Sequence, residues 1–188
     1  MADSDPHINT VSGRLVPVLD PDPTDIALVD IAHGLSHICR FTGQSRAFYS
    51  VAKHSLNVAR ALDAVHDASP ERQLYGLLHD ASEAYLADVP GPAKGHFDDY
   101  ATAETAVMDA VWSWSGLGDP ESRLEEPQPW TPVDRAAFEC EAHDLVAEYE
   151  ADPEILDTYG ENVDTSPATD FEAVQEASDR FDELWEGI

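Results

Sequence analysis

Apolar residues recur at steps of three and four along most of the chain, which is the pattern of helices that bury one face. Six helices are predicted on this basis, covering about 24–40, 51–65, 69–81, 97–115, 131–149 and a last segment from about Thr169. No alternation of apolar and polar residues continues over a useful strand length. The sequence therefore predicts an all-α bundle.

Three of these helices have a recognisable start. Ser50 is a suitable N-cap for the second helix, and Ser69 followed by Pro70 is a cap with proline at the first helical position. Thr131 with Pro132 opens the fifth helix in a similar way. The breaker DVPGP follows the third helix, so its aspartate, Asp88, is predicted to lie in a loop just past that helix.

The 188 residues, 43% of them hydrophobic, suit one domain with a sizeable core. Residues 1–23 are rich in proline and are predicted to form an irregular arm or short strand. Residues 24–150 are predicted to form the functional core. Residues 151–188 are predicted to be an acidic helical extension on the same domain, with a lid, a dimer contact or an adaptation to salt as its open roles.

The charge is strongly negative, with 38 Asp and Glu against 10 Lys and Arg and a formal net charge of −28. Because affinity for nucleic acids depends on cations that neutralise phosphates, a polymeric DNA or RNA partner is not expected. An anionic membrane is not expected as a partner either. A small phosphorylated substrate is compatible with this charge, since a metal ion and a few arginines can outweigh a distant, screened field.

The acidity accompanies an ordinary apolar fraction and only two lysines, Lys53 and Lys94. This composition favours a solvated acidic shell over disorder, and we hypothesise a halophilic source. Cys39 and Cys140 are too few and too far apart for a disulfide framework. No signal peptide and no long apolar stretch are recognised, so a cytoplasmic location is expected.

Ionisable residues on predicted buried faces are the candidates for chemistry. His54 lies on the inner stripe of the second helix, His79 and Asp80 on the third, and Asp134 on the fifth. Buried ionisable groups are costly unless they are paired or bind a metal, so their convergence suggests a cation. Each also has a structural reading: a core histidine, a common dipeptide, or an aspartate near a helix N-terminus.

Two further residues have side chains suited to phosphoester chemistry. Glu83 lies four residues after His79, one helical turn on, and would project over such a metal site unless it is an ordinary exposed glutamate. Arg40 has a guanidinium that can bind two phosphate oxygens at once. Its neighbour Phe41 would pack either against a substrate or in the core.

Three stretches closely resemble the HD-domain phosphohydrolase superfamily, in particular the branch similar to 5′-deoxynucleotidases. They are LVDIAHGLSHICRFTGQSRAFYSVAKH at 28–54, LLHDASEAYLADVPGPAK at 77–94 and VDRAAFECEAHDL at 133–145. The H…HD…D order and the EAYLxDVP extension carry the resemblance. It implies an HD-domain helical bundle that holds one divalent ion, whether Mn, Co, Zn, Fe or Ni, through His54, His79, Asp80 and Asp134.

The same resemblance assigns roles around the ion. Glu83 would orient or deprotonate the attacking water, and Asp88 would act at the leaving oxygen or the sugar. Arg40 and Lys94 would contact phosphate, with His33 as a further substrate-side residue. Any of the last three could instead be structural.

The expected activity is hydrolysis of a (deoxy)nucleoside 5′-monophosphate by a metal-activated water. The first alternative is hydrolysis of another phosphoester, such as a cyclic or alarmone nucleotide. The second is a nucleotide-binding or regulatory module that keeps the fold without catalysis. A homodimer is compatible with all three.

Overall fold

The structure is a computed structural model that describes residues 6–120, 128, 130–167 and 170–187. A small antiparallel hairpin, β1 (His7–Asn9) and β2 (Leu15–Pro17), precedes the helices. The helices are α1 (Leu28–His37), α2 (Val51–His66), α3 (Pro70–Leu78), α4 (Glu83–Leu86), α5 (Gly91–Lys94), α6 (Asp98–Trp114), α7 (Thr131–Leu145), α8 (Pro153–Tyr159) and α9 (Asp170–Glu186). The protein is all-α, as predicted, with more helices than six because three of them are short.

The predicted helix starts at Ser50, Ser69 and Thr131 are confirmed, but the first helix begins at Leu28 and not near Thr24, which lies in a separate 3₁₀ turn at Pro23–Asp25. The Ser50 side chain accepts a hydrogen bond from the backbone N–H of Lys53 and begins α2. Ser69 caps α3 in the same way, with Pro70 at its first position. Helix α7 begins at Thr131. The predicted start of the last helix, Thr169, lies outside the described residues.

Two predicted helix ends are wrong. Helix α3 ends at Leu78, and a tight turn over residues 79–82 separates it from α4, so Glu83 does not continue the helix that carries His79. Helix α7 ends at Leu145 and does not reach Tyr149, because the Leu145 carbonyl accepts the backbone N–H of Arg46 at 2.8 Å. A contact between distant segments therefore sets this end.

Helix α2 is the central element of the bundle. Every residue from Val51 to Ala59 is buried, because α1, α3, α7 and α9 pack around it. A surface helix buries only one stripe, so polar residues on α2 must find partners inside the protein. His54, Ser55 and Asn57 are polar side chains of α2 that are fully buried.

A close approach of α3 to α2 positions the histidines. A Cβ atom at Gly76 would overlap the side chain of Leu62 on α2, so any larger residue here would force that side chain to move. Helix α3 then delivers His79 beside His54, with 5.3 Å between the ring centroids.

The C-terminal region packs on the same core. Helix α9 contacts α1, α2 and α3 through the buried residues Ala173, Ala177, Phe181 and Leu184. The preceding segment is joined to α2 through Asn57, whose side chain binds both the N–H and the carbonyl of Asp164, at 3.0 and 3.2 Å. The acidic extension is thus an integral part of the bundle.

Among the described residues, no helix is both long enough and apolar enough to span a bilayer.

Candidate metal centre

His54 lies at the centre of the candidate site and is fully buried. Its Nε2 atom is 3.0 Å from Asp134 Oδ1 on α7 and 3.9 Å from Asp80 Oδ2 in the turn after α3. The capped start of α2 and the packing of α7 on it bring these residues together from three separate segments.

His79 presents one nitrogen to the same point. Its Nδ1 atom is 2.7 Å from the Gly76 carbonyl, which can only accept, so Nδ1 carries the proton. Its Nε2 atom is buried, lies 3.2 Å from Asp80 Oδ2 and 3.8 Å from Asp134 Oδ1, and has no hydrogen-bond partner. A buried nitrogen with a fixed tautomer and no hydrogen-bond partner is suited to bind a cation.

The donor atoms have spacings that suit one ion. Ligand atoms of His54, His79 and Asp80 lie within 4.8 Å of one another, so this group could hold a metal ion. Ligands about 2.0–2.2 Å from a common ion lie roughly 3–3.5 Å apart. His79 Nε2 and Asp80 Oδ2, 3.2 Å apart, already have this spacing, whereas His54 Nε2 and Asp80 Oδ2, 3.9 Å apart, would move closer on binding. Two imidazoles with a carboxylate suit transition metals and zinc more than calcium. Asp134 Oδ1 approaches both imidazoles and is the candidate fourth donor.

His79 and Asp80 form a pair of opposite charges that shift each other's pKa. Burial acts to lower the pKa of His79, but the Asp80 carboxylate outweighs it and raises that pKa to about 9. Burial acts to raise the pKa of Asp80, but the charge of His79 outweighs burial and holds the pKa of Asp80 below its ordinary value. The pKa of Asp134 is lowered as well, so both carboxylates are ionised near neutral pH, as metal ligands must be, and a cation would displace the proton of His79 Nε2 on binding.

Glu141 lies on the far side of His54 and is fully buried. Both of its carboxylate oxygens are 3.0 Å from His54 Nδ1. Burial acts to raise its pKa, but the charges of His54 and Arg40 outweigh burial and lower it. The sequence analysis missed this residue. The available signal was its position seven residues after Asp134, on the same face of a helix.

Arg40 lies between the cluster and solvent. Its Nη1 atom is 3.8 Å from Asp80 Oδ2, and its Nε atom is 3.3 Å from Glu141 Oε2. Burial acts against its charge, but these two carboxylates outweigh burial and raise its pKa. The guanidinium is thereby kept charged at the wall of the adjoining cavity.

Glu83 begins α4 beside the cluster. Its Oε2 atom is buried without a hydrogen-bond partner, and its Oε1 atom is 3.9 Å from Lys94 Nζ. Burial, followed by the charges of Asp80 and Asp88, raises the pKa of Glu83 to about 9. Burial is also the main reason that the pKa of Asp88 is raised.

A cavity of about 810 Å³ opens over the cluster. Six of the nine residues singled out from the sequence line it: Arg40, Asp80, Glu83, Asp88, Lys94 and Asp134. Phe41 and Phe138 line it too, with 5.7 Å between their ring centroids, and add an apolar wall. The cavity thus combines acidic, basic and aromatic groups within reach of the cluster.

His33 is not brought to this cavity. It lines a separate pocket of about 110 Å³ between α1 and the N-terminal hairpin, and its ring lies 4.1 Å from that of His37. His54 and His79 do not line the large cavity either, but they lie beneath its floor, in contact with Asp80 and Asp134, which do line it.

Comparison with known proteins gives partial relatives. The chain matches no model of a known protein family. It is 45% identical over 87 residues to an uncharacterized protein of Rhodobacter capsulatus, covering 45% of this chain and 44% of that protein. It is 38% identical over 104 residues to the uncharacterized protein YfdR of Escherichia coli, covering 55% of this chain and 54% of YfdR. The chain spans about half the length of these curated relatives.

Proposed function

We propose that this protein is a metal-dependent phosphohydrolase of the HD-domain type that cleaves (deoxy)nucleoside 5′-monophosphates into nucleoside and phosphate. One observation carries the proposal: the His54, His79 and Asp80 donors converge at the floor of a cavity that Arg40, Glu83 and Asp88 also line. A binding site without catalysis would need the cation and the arginine, but it has no need of a buried glutamate and a half-buried aspartate beside them.

The donor set of the site is His54, His79 and Asp80, with Asp134 as the fourth member. A divalent ion held there lowers the pKa of water and offsets negative charge on phosphoryl oxygens. The orphaned Nε2 atom of His79 is the feature of the protein that best fits such an ion.

The protein residues would divide the remaining work. Arg40 faces the cavity with a charged guanidinium, which suits two oxygens of a phosphate monoester. Lys94 lies 3.9 Å from Glu83 and 2.5 Å from Glu104, so a phosphate entering the cavity would meet a second cation at its rim. These contacts would hold the phosphorus atom near the cluster.

Glu83 and Asp88 are the proposed proton carriers. Glu83 would accept a proton from the attacking water as the new P–O bond forms. Asp88 would give a proton to the sugar oxygen as the old P–O bond breaks. Glu83 has a pKa of about 9 because of burial and the charges of Asp80 and Asp88, and a cation beside Asp80 would offset that charge and lower this pKa.

The aromatic wall supports a nucleotide over a smaller phosphoester. Phe41 and Phe138 line the cavity together with Arg40, and a volume of about 810 Å³ lies in the range of small-molecule sites. A nucleobase could stack there while the phosphate remains near Arg40.

The test is hydrolysis of a panel of nucleoside 5′-monophosphates, cyclic nucleotides and alarmone nucleotides with Mn²⁺ or Co²⁺, with inorganic phosphate, pyrophosphate and nucleotide products all measured. We expect release from monophosphates, and none without metal or with Asp80→Ala. Hydrolysis of cyclic or alarmone nucleotides alone would show that another phosphoester is the substrate. If nucleotides bind tightly but no compound is hydrolysed, the protein is a nucleotide-binding module and not an enzyme.

A further inference from the structure

Two carboxylates of helix α7 hold opposite edges of one imidazole ring. Asp134 Oδ1 lies 3.0 Å from His54 Nε2, and both Glu141 oxygens lie 3.0 Å from His54 Nδ1. The two acids are seven residues apart, two turns along the same helix face. Asp134 is partly exposed to the cavity, with 38% of its side-chain surface accessible, whereas Glu141 is fully enclosed.

Glu141 is itself held in place by neighbouring groups. The Tyr49 hydroxyl donates to its Oε1 atom at 2.9 Å, and Asn57 Nδ2 donates to the Tyr49 oxygen at 2.6 Å. On the other oxygen, Arg40 Nε forms an ion pair at 3.3 Å. The carboxylate therefore has one fixed orientation, and that orientation is set by three different segments of the chain.

We infer that Glu141 is a positioning residue that accepts the Nδ1 proton of His54, leaves its Nε2 lone pair for a divalent cation, and fixes Arg40 beside the same site. The inference rests on the proposed function for what the site binds. Glu141 takes no part in the hydrolysis proposed above, and the inference gives it a positioning role.

A space-filling role does not explain the arrangement. A buried ionised carboxylate is costly, and replacing such groups with apolar residues of similar size is often neutral or stabilising. Carboxylates that accept the second N–H of a metal-binding histidine fix the tautomer and ring orientation and raise the basicity of the other nitrogen. Glu141 has the distances and the enclosure for that task.

Glutamine at this position cannot reproduce both contacts. If the amide oxygen of a Glu141→Gln variant accepts from His54 Nδ1, its NH₂ group faces the Arg40 guanidinium, and the ion pair is lost. If the amide is turned over, its NH₂ group faces Nδ1 and favours the opposite histidine tautomer. Either arrangement weakens the proposed site while keeping the side-chain volume.

The experiment compares Mn²⁺ affinity, measured by isothermal titration calorimetry, in wild type, Glu141→Gln and the control Lys53→Gln. Lys53 lies on the same helix as His54 and pairs with Asp164 at 2.5 Å, and among the described residues no hydrogen bond or ion pair joins it to Glu141. We expect Glu141→Gln to bind Mn²⁺ about 10- to 100-fold more weakly, and the control to stay near wild type. Wild-type affinity in Glu141→Gln, or equal weakening in the control, would overturn the inference.

Tyr49→Phe keeps the inference testable if Glu141→Gln does not fold. This variant removes one donor to Glu141 but leaves the carboxylate and its contact with His54. We expect a smaller loss of Mn²⁺ affinity than the 10- to 100-fold of the glutamine variant, with the melting temperature recorded alongside. An unchanged Mn²⁺ affinity would contradict a positioning role for Glu141 and its hydrogen bond from Tyr49.

A second readout separates this inference from the proposed function. If wild type binds no Mn²⁺, Co²⁺ or Zn²⁺, the proposed function fails, but the Nδ1 proton of His54 can still be observed by ¹H–¹⁵N NMR of metal-free protein. A charge-assisted hydrogen bond to Glu141 should move that proton downfield, and Glu141→Gln or Tyr49→Phe should shift it upfield. An unchanged signal would overturn the positioning role.

Discussion

The Nδ1 atom of His79 donates a 2.7 Å hydrogen bond to the Gly76 carbonyl, and this bond directs the Nε2 atom into the cluster with His54 and Asp80. The same glycine allows α3 to approach α2 closely. One residue of α3 thus contributes both to the packing of the two helices and to the tautomer of a candidate ligand.

Replacing Glu83 with glutamine should separate turnover from metal binding. Glu83 is absent from the His54, His79 and Asp80 cluster but lines the cavity above it. We expect Glu83→Gln to bind Mn²⁺ as wild type does and to lose about 10²- to 10⁴-fold in kcat, the usual contribution of a general base. Metal titration and initial rates of phosphate release measure the two effects. An unchanged rate would remove Glu83 from the mechanism.

The metal-free protein should lose stability as the pH rises through about 9. Burial acts to lower the pKa of His79, but Asp80 outweighs burial and raises this pKa from 6.5 to about 9. A group whose pKa is higher in the folded state stabilises fully below its unfolded pKa, so this contribution is complete below about 6.5 and is lost through about 9.

Urea unfolding of EDTA-treated wild type and His79→Gln across this pH range measures the effect. The difference between their free energies of unfolding should shrink as the pH rises from about 6.5 to about 9. A difference that stays constant would show that His79 is not preferentially protonated in the folded protein.

Molar salt should stabilise the fold. The net charge is −28, and helix α9 alone exposes several acids: Glu172, Asp179, Asp182, Glu183 and Glu186. Repulsion among such groups is screened over about 10 Å in 0.1 M salt and about 3 Å in 1 M salt. We expect the melting temperature to rise from dilute buffer to molar KCl. Equal melting temperatures in the two solutions would argue against a halophilic adaptation.

Local chemistry is what made part of the fold predictable. Ser50 and the Ser69–Pro70 pair fix helix starts through contacts within three residues, so the sequence alone was sufficient. The end of α7 depends on Arg46, far away in sequence, and no local signal predicts it. Ala87 adopts a φ of 68° just before Asp88, a conformation that nothing in its residue type favours.

The candidate site was predictable to a similar extent. His54 could be placed inward from the periodicity of α2, and the resemblance supplied the residues that line the cavity. Glu141 was not singled out, because its position seven residues after Asp134 is a weak signal in a chain with 38 acidic residues. His33 also matched the resemblance, as a weaker site residue, but α1 directs it towards the N-terminal hairpin.

The most direct test of the metal centre is an anomalous-diffraction map of crystals soaked in Mn²⁺. We expect one peak about 2.0–2.3 Å from the Nε2 atoms of His54 and His79 and from carboxylate oxygens of Asp80 and Asp134, and no such peak in Asp80→Ala crystals. A wild-type map with no peak among these four side chains, or with its peak elsewhere on the acidic surface, would contradict the proposed centre.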